Sequence, residues 1–241
     1  ELIIPQKSEV NGAAWTVSKE EFWKSKVVDF LKLKASYGTT GNSRFGSDLS
    51  KGIYTYSADY GYGGNTGAIM TTGINEDLRW EKTYMFNTGI DARIYKKINV
   101  AVEYYNNITK DLINNALVSM TVGQRAVYRN VGKLKNEGVE VSINSVNIEK
   151  ENFSWSTSFN LSHNVNKVLE LYDGFERSSG TTIMTEGYDS RSHYLVRWAG
   201  VDPATGDPMW YDINGNVTKT YSANDRVIIG SPNPDFYGGI T

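Results

Sequence analysis

The chain has 241 residues, a formal charge of −2 and 12% aromatic residues, with 23 glycines, five prolines and no cysteine. The near-neutral balance gives no reason to expect a nucleic-acid partner, and the missing cysteines exclude disulfides, thiolate metal sites and a cysteine nucleophile. Many aromatics and glycines with few prolines favour β-structure rich in turns, while no apolar run reaches the roughly 18 residues that a transmembrane helix needs.

The first residues, Glu1 to Pro5, carry neither a basic n-region nor a small-residue cleavage site, so they do not read as a signal peptide. The absence of an initiator Met is what a segment of a longer protein would show. From Ser18 to Lys26 the chain reads SKEEFWKSK, with Ser18 placed to cap and Glu21 three residues later, which predicts a single short helix. Leu31, Leu33, Ala35 and Tyr37 then alternate with Lys32, Lys34 and Ser36, predicting a strand that stops at Gly38–Asn42. Between Gly52 and Gly67 lie Tyr54, Tyr56, Tyr60 and Tyr62, read as an irregular strand or loop because Gly61, Gly63, Gly64 and Gly67 weaken pairing.

The strongest pattern follows. From Trp80 to Ile94, the residues Tyr84, Phe86, Thr88, Ile90, Ala92 and Ile94 oppose Asn87, Gly89, Asp91 and Arg93. After a turn at Lys96-Lys97, the residues Ile98, Val100, Val102 and Tyr104 oppose Asn99, Ala101, Glu103 and Tyr105. A period of two means a strand with one wet and one apolar face. Beyond a long connection from Asn114 to Lys135, a second hairpin is expected. Val139, Val141 and Ile143 lie on one arm, Glu149 to Asn152 form the turn, and Phe153, Trp155, Thr157, Phe159 and Leu161 lie on the other arm. After His163 some seventy residues break into short pieces, and a strand resumes near Phe236.

Strands of soluble sheets usually run about 5–6 residues, whereas a bilayer-spanning barrel needs about 10, apolar outside and polar inside. Short turns at one end and long connections at the other match a barrel with short periplasmic turns and long outer loops. The expected fold is therefore all-β, an antiparallel transmembrane β-barrel segment. Phe86, Ile90, Ile94, Val100, Val102, Val141, Ile143, Trp155 and Phe159 should face lipid, and Asn87, Asp91, Glu103, Ser142, Ser156 and Asn160 the lumen.

Several runs also resemble a known family. FLKLKASYGTTGN at Phe30–Asn42 and NEDLRWEKT at Asn75–Thr83, with Glu76 where Pro is usual, are similar to signatures of the SusC/RagA-type TonB-dependent outer-membrane transporters. So are EYYNNITKDL at Glu103–Leu112, NVGKLKNEGVE at Asn130–Glu140, GVDPATGDP at Gly200–Pro208 and IGSPNP at Ile229–Pro234. The resemblance implies that residues 1–241 are the later part of a barrel, with the plug, the early strands and the final strands outside the chain. It also implies import of oligosaccharides or peptides across the bacterial outer membrane, a SusD-like lipoprotein partner, contact with outer-membrane lipid, and TonB acting through an N-terminal region not in this chain. No cofactor is expected. A soluble cell-surface β-sandwich that binds carbohydrate is the alternative, and a secreted glycoside hydrolase a third reading.

No catalytic elbow, P-loop or zinc spacing stands out: Gly61–Gly67 lacks the following Lys-Ser/Thr, and His163 and His193 are thirty residues apart. Asp212 to Asn216 could suggest a calcium loop, but Val217 and Ala223 stand where an EF-type loop needs Gly and Glu, so a hairpin turn at Asn214-Gly215 is preferred. The ligand-binding candidates are loop aromatics able to stack on a sugar ring or peptide, namely Tyr54, Tyr56, Tyr194, Trp198, Trp210 and Tyr211, with loop packing as the competing account.

Overall fold

The computed structural model describes residues 9–42, 50–119, 121 and 126–241, so Glu1–Pro5 lie outside the described residues. In chain order the first strands are β1 (Glu9–Trp15), β2 (Val28–Asn42), β3 (Ile53–Tyr62), β4 (Asn65–Thr72), β5 (Glu81–Ile94) and β6 (Ile98–Lys110). Then come β7 (Ile113–Leu117), β8 (Ala126–Asn130), β9 (Gly132–Lys150), β10 (Phe153–Leu171), β11 (Arg177–Ser179) and β12 (Thr182–Met184). The last are β13 (Ser192–Val196), β14 (Trp198–Val201), β15 (Pro208–Tyr211), β16 (Val217–Thr218), β17 (Arg226–Gly230) and β18 (Phe236–Ile240).

Seven of these form one antiparallel wall in the order β1-β2-β5-β6-β9-β10-β18. Residues directly opposite in such a ladder share a face. One row runs Trp15, Leu33, Ile90, Val102, Val141, Leu161, Gly238, and the neighbouring one includes Ala92, Val100, Ile143, Phe159 and Ile240. The other face carries Lys34, Gly89, Glu103, Glu140, Ser162 and Tyr237 in a single row. Every residue assigned to the apolar or the polar side from alternation lies on the side expected: the ladders from β2 to β9 keep register through the middle of the wall, and at the β9–β10 shift between Trp155 and Ser156 the extra residue is on β9, so β10 keeps its alternation.

The wall has no core. Among the described residues the buried apolar side chains are Val17, Ala116, Val131, Val168 and Leu171, none of them on the apolar face of the mid-wall. Ile90 is 47% exposed and Trp155 53% exposed. A face so apolar and so uncovered would be unstable in water but suits lipid. The strands are also far too long for the sandwich alternative: β5 has 14 residues, and β9 and β10 have 19 each.

Several sequence expectations are corrected. The helix at Ser18–Lys26 is only a 3₁₀ turn at Val17–Lys19 whose cap, Thr16, makes no side-chain hydrogen bond. A lone short helix is marginal, and here Trp15 Nε1 donates to Glu20 Oε1 and Trp23 Nε1 to the Val28 carbonyl instead. Gly52–Gly67 lies in the β3–β4 hairpin, where Gly63 and Gly64 make the turn at φ 62° and 81°, while the expected irregularity appears as a break in pairing between Ser57 and Tyr62. β2 runs through Gly38–Asn42, and β10 continues past His163 to Leu171. The two hairpin turns of the wall also differ from the reading, the first longer by one residue and the second shorter by two. Tyr95 and Lys96 take positive φ with Lys97 N–H donating to the Ile94 carbonyl, and only Glu151 and Asn152 separate β9 from β10.

Candidate functional site

The polar face is built from side chains that cross glycines. Lys34, Gly89 and Glu103 are direct neighbours on β2, β5 and β6, and Lys34 Nζ passes over Gly89 to Glu103 while also lying 3.1 Å from Asp91. A Cβ on Gly89 would stand 2.8 Å from Lys34 Cε. The same device recurs at Tyr105, Gly138 and Asn164 on β6, β9 and β10, where the Tyr105 hydroxyl donates to Asn164 Oδ1 at 2.8 Å. Here a Cβ on Gly138 would meet Tyr105 Oη at 2.5 Å. Glycine in a strand interior ordinarily weakens it; these two make room for polar ties across three strands.

At one end of the wall lie the turns at 95–97 and 151–152 and the connection 16–27 between β1 and β2. At the other, three loops fold into small sheets: β3–β4, β7–β8, and, between β10 and β18, the sheets β11-β12-β13-β17 and β14-β15-β16. They are tied to one another. Asn130 accepts from Arg79 N–H at 2.8 Å and donates to the Arg79 and Asp111 carbonyls. Asn75 donates to the Tyr128 carbonyl, and Arg177 donates to Asn114 Oδ1 and the Asn115 carbonyl. The buried carboxylate of Glu81 accepts from the Ile113 N–H and from Asn42 Nδ2, anchoring the second loop to the wall. The third loop runs along the free edge of β10, with Val168 N–H donating to the Tyr188 carbonyl and Gly187 N–H to the Val168 carbonyl. Asp189, almost fully buried, accepts from Arg191 N–H, Ser231 Oγ and Asn233 Nδ2 and so fixes the point where the loop returns to β18.

The six aromatic candidates do not form one site. Trp198 and Trp210 meet edge-to-face at 5.9 Å, and Tyr221, which the sequence did not single out, extends the cluster at 5.6 Å from Trp210. Tyr211 points to the opposite face of the same small sheet, with the Arg197 guanidinium 5.2 Å from its ring centre. Tyr54 and Tyr56 sit on β3, more than half exposed, and Tyr194 lies on β13 opposite Ile228. Among the described residues no ring contact joins these groups.

Beneath the Trp198–Trp210 pair, the turn between β14 and β15 is fastened by Lys219, which lies 2.5 Å from Asp202 and 3.0 Å from Asp207. Lys219 and the neighbouring backbone and hydroxyl donors hold the Asp202 carboxyl down to about 2, and Thr205 and Lys219 also lower Asp207. A glycosidase general acid needs the opposite shift. Asp212 accepts from the N–H groups of Asn214 and Asn216, with Gly215 at φ 88°, so this segment is the hairpin turn joining β15 to β16. His163 faces the Asp235 carbonyl at 2.5 Å and stacks on Phe236, an ordinary structural role.

A protein-family model described as TonB dependent receptor-like, beta-barrel, matches residues 12–238. TonB-dependent receptor P39 of Formosa agariphila is 35% identical over 229 residues, covering 93% of this chain and 22% of the relative. TonB-dependent receptor SusC of Bacteroides thetaiotaomicron is 29% identical, covering 94% of this chain and 25% of the relative. A solved structure of the RagAB peptide transporter superposes with a TM-score of 0.85 at 28% identity, covering 97% of this chain and 26% of that one. The chain thus spans about a quarter of the proteins it matches. The long bridged strands, the uncovered apolar face and the folded loops at one end are those of the family it belongs to, the TonB-dependent receptor β-barrels of the bacterial outer membrane.

Proposed function

We propose that residues 1–241 are the later part of the barrel of a TonB-dependent importer, whose plug, early strands and final strands lie outside this chain. The importer takes up an oligosaccharide or a peptide, a SusD-like lipoprotein closes over the loop end, and TonB supplies the work through the N-terminal region. The observation that carries this reading is the wall itself, with strands of 13 to 19 residues in its middle, one face apolar and uncovered and the other tied by polar bridges. In this reading the wall separates lipid from lumen and performs no chemistry of its own; selectivity resides in the loops.

The loop aromatics would meet the ligand or the lid partner. Trp198, Trp210 and Tyr221 offer stacking surfaces for a sugar ring or a peptide side chain, and Arg197 beside Tyr211 adds a cation for an anionic group. Tyr54, Tyr56 and Tyr194 would contribute from the neighbouring sheets.

The test is a loop excision chosen to spare the wall. β13 and β17 pair with Val196 opposite Arg226, so residues 198–224 can be replaced by a short linker without opening that ladder or the contacts of Tyr188 and Asp189. In the full-length protein this variant should reach the outer membrane and fold, yet lose uptake or binding of the lid partner. Normal uptake would remove these loops from the proposal. Hydrolysis of a glycan or peptide by the purified protein would overturn the transporter reading itself.

A further inference from the structure

The apolar face ends in a cationic ledge over a groove. On β5 and β6, Lys82 and Lys110 are directly opposite each other and share the face of Ile90 and Val102. Both ammoniums lie over one ring, at 5.2 and 4.8 Å from the centre of Tyr84. Like charges placed opposite each other on a sheet destabilise it, and among the described residues neither lysine has a carboxylate partner. The next lysines along the band are satisfied: Lys133 pairs with Glu170 and Lys135 with Glu137.

Below the ledge a groove of about 630 Å³ is lined by Tyr37, Tyr84, Phe86, Tyr104 and Ile108 together with Asn106 and Lys110. Within it the buried Oδ1 of Asn106 has no hydrogen-bond partner, a state that buried polar atoms rarely keep.

The depth of these residues decides what fills the groove. From Tyr84 to Ile94 the strand rises roughly 33 Å at 3.3 Å per residue, and a tilt of about 40° leaves about 25 Å, the height of the apolar band of an outer-membrane barrel. Tyr84, Tyr37, Phe86 and Tyr104 then form the aromatic girdle at the loop end, and Lys82 and Lys110 sit one pleat beyond it, at headgroup level. We propose that Lys82, Lys110 and the groove beneath them bind a phosphate-bearing glycolipid of the outer leaflet. The phosphate lies between the two ammoniums, and an acyl chain lies in the groove.

The probe is lipid A, with and without its phosphates, titrated onto the detergent-purified full-length protein and read by native mass spectrometry. Phosphorylated lipid A should bind the unaltered protein, and Lys82→Gln with Lys110→Gln should weaken it about 30-fold, the loss of two headgroup lysines. Lys82→Arg with Lys110→Arg should restore most of the affinity, and Lys32→Gln, on the polar face, should leave it unchanged. Heat-modifiable migration on a gel checks that each variant is folded. If the double variant does not fold, the phosphate dependence on the unaltered protein decides alone. Equal binding of dephosphorylated lipid A would overturn the proposal, as would competition by inorganic phosphate at the concentration of the lipid.

Discussion

The wall and the loop cap solve the same problem in opposite ways. The cap buries a small core of Ala116, Val131, Val168 and Leu171 where the second and third loops meet the strand ends, and it closes its backbone with ties such as Val131 N–H to the Leu112 carbonyl and Tyr172 N–H to the Val131 carbonyl. The wall buries almost nothing, leaving Leu33, Ile90, Val102, Trp155 and Leu161 uncovered. Its order comes from ladders that satisfy the backbone and from polar bridges on the inner side, so the hydrophobic contribution that a soluble protein obtains from its own core must come from lipid. The cap therefore behaves as ordinary protein in water, and the wall does not.

The largest test of that difference is a charge on the outer face. Val141→Arg should destabilise the folded barrel in vesicles by about 2–4 kcal/mol, measured by urea unfolding, while Ser142→Arg next door should cost much less because it enters the lumen. A smaller loss is expected on the inner side: Gly138→Ala forces Tyr105 and the His163 carbonyl away from a Cβ that would approach within 2.5 Å. Overpacking of this kind costs about 1–3 kcal/mol, and Gly138→Ala combined with Tyr105→Ala should recover part of it. In the cap, Val131→Ala removes two buried methylene equivalents and should cost roughly 1.6 kcal/mol. That loss should appear as faster hydrogen exchange in the loops around Leu112 and Tyr172, with the wall ladder unchanged.

Most of the wall was legible in the sequence, and its misreadings share one cause. Alternation was clear as far as His163 because Phe159 and Leu161 contrast with Asn160 and Ser162. Beyond it the strand continues, but Val165 is followed outward by Lys167 on β10, and the outward positions opposite them on β9 are Glu137 and Lys135, so the contrast thins. Once both faces are polar, a period of two has no contrast to reveal the strand. The helix expected at Ser18–Lys26 fails for another reason: a capping box is a local signal, and Trp15 and Trp23 draw Glu20 and the Val28 carbonyl into other bonds. The loop site was legible only as composition. Trp198 and Trp210 read as aromatics in a loop, but their pairing, the addition of Tyr221 and the Lys219 fastening depend on register between strands too short to show a pattern.

The smallest effect belongs to that fastening and should separate cap from wall by pH. The lowered carboxyl of Asp202 contributes stability that is fully present above its ordinary value of 3.8 and is lost as pH falls through about 2. Lys219 is raised, first by its bond to Asp202, so its contribution is present below its ordinary 10.5 and fades only when pH rises past the raised value. Hydrogen exchange of residues 200–220 should therefore be flat between about pH 4 and pH 10 after correction for intrinsic rates, and rise toward pH 2, while β9 and β10 stay protected. Lys219→Met should shrink the acid step, leaving the part that the Ala204 N–H and the Thr205 hydroxyl supply.

The central claim is that one face of this wall meets lipid and the other the lumen. A fluorophore placed singly at each position from 139 to 144 of the full-length protein in vesicles reads it directly. Quenching by a lipid-borne quencher should be strong at Val139, Val141 and Ile143 and weak at Glu140, Ser142 and Asn144, with a water-soluble quencher giving the inverse pattern. Quenching that varies smoothly along the strand, with no alternation, would contradict the account.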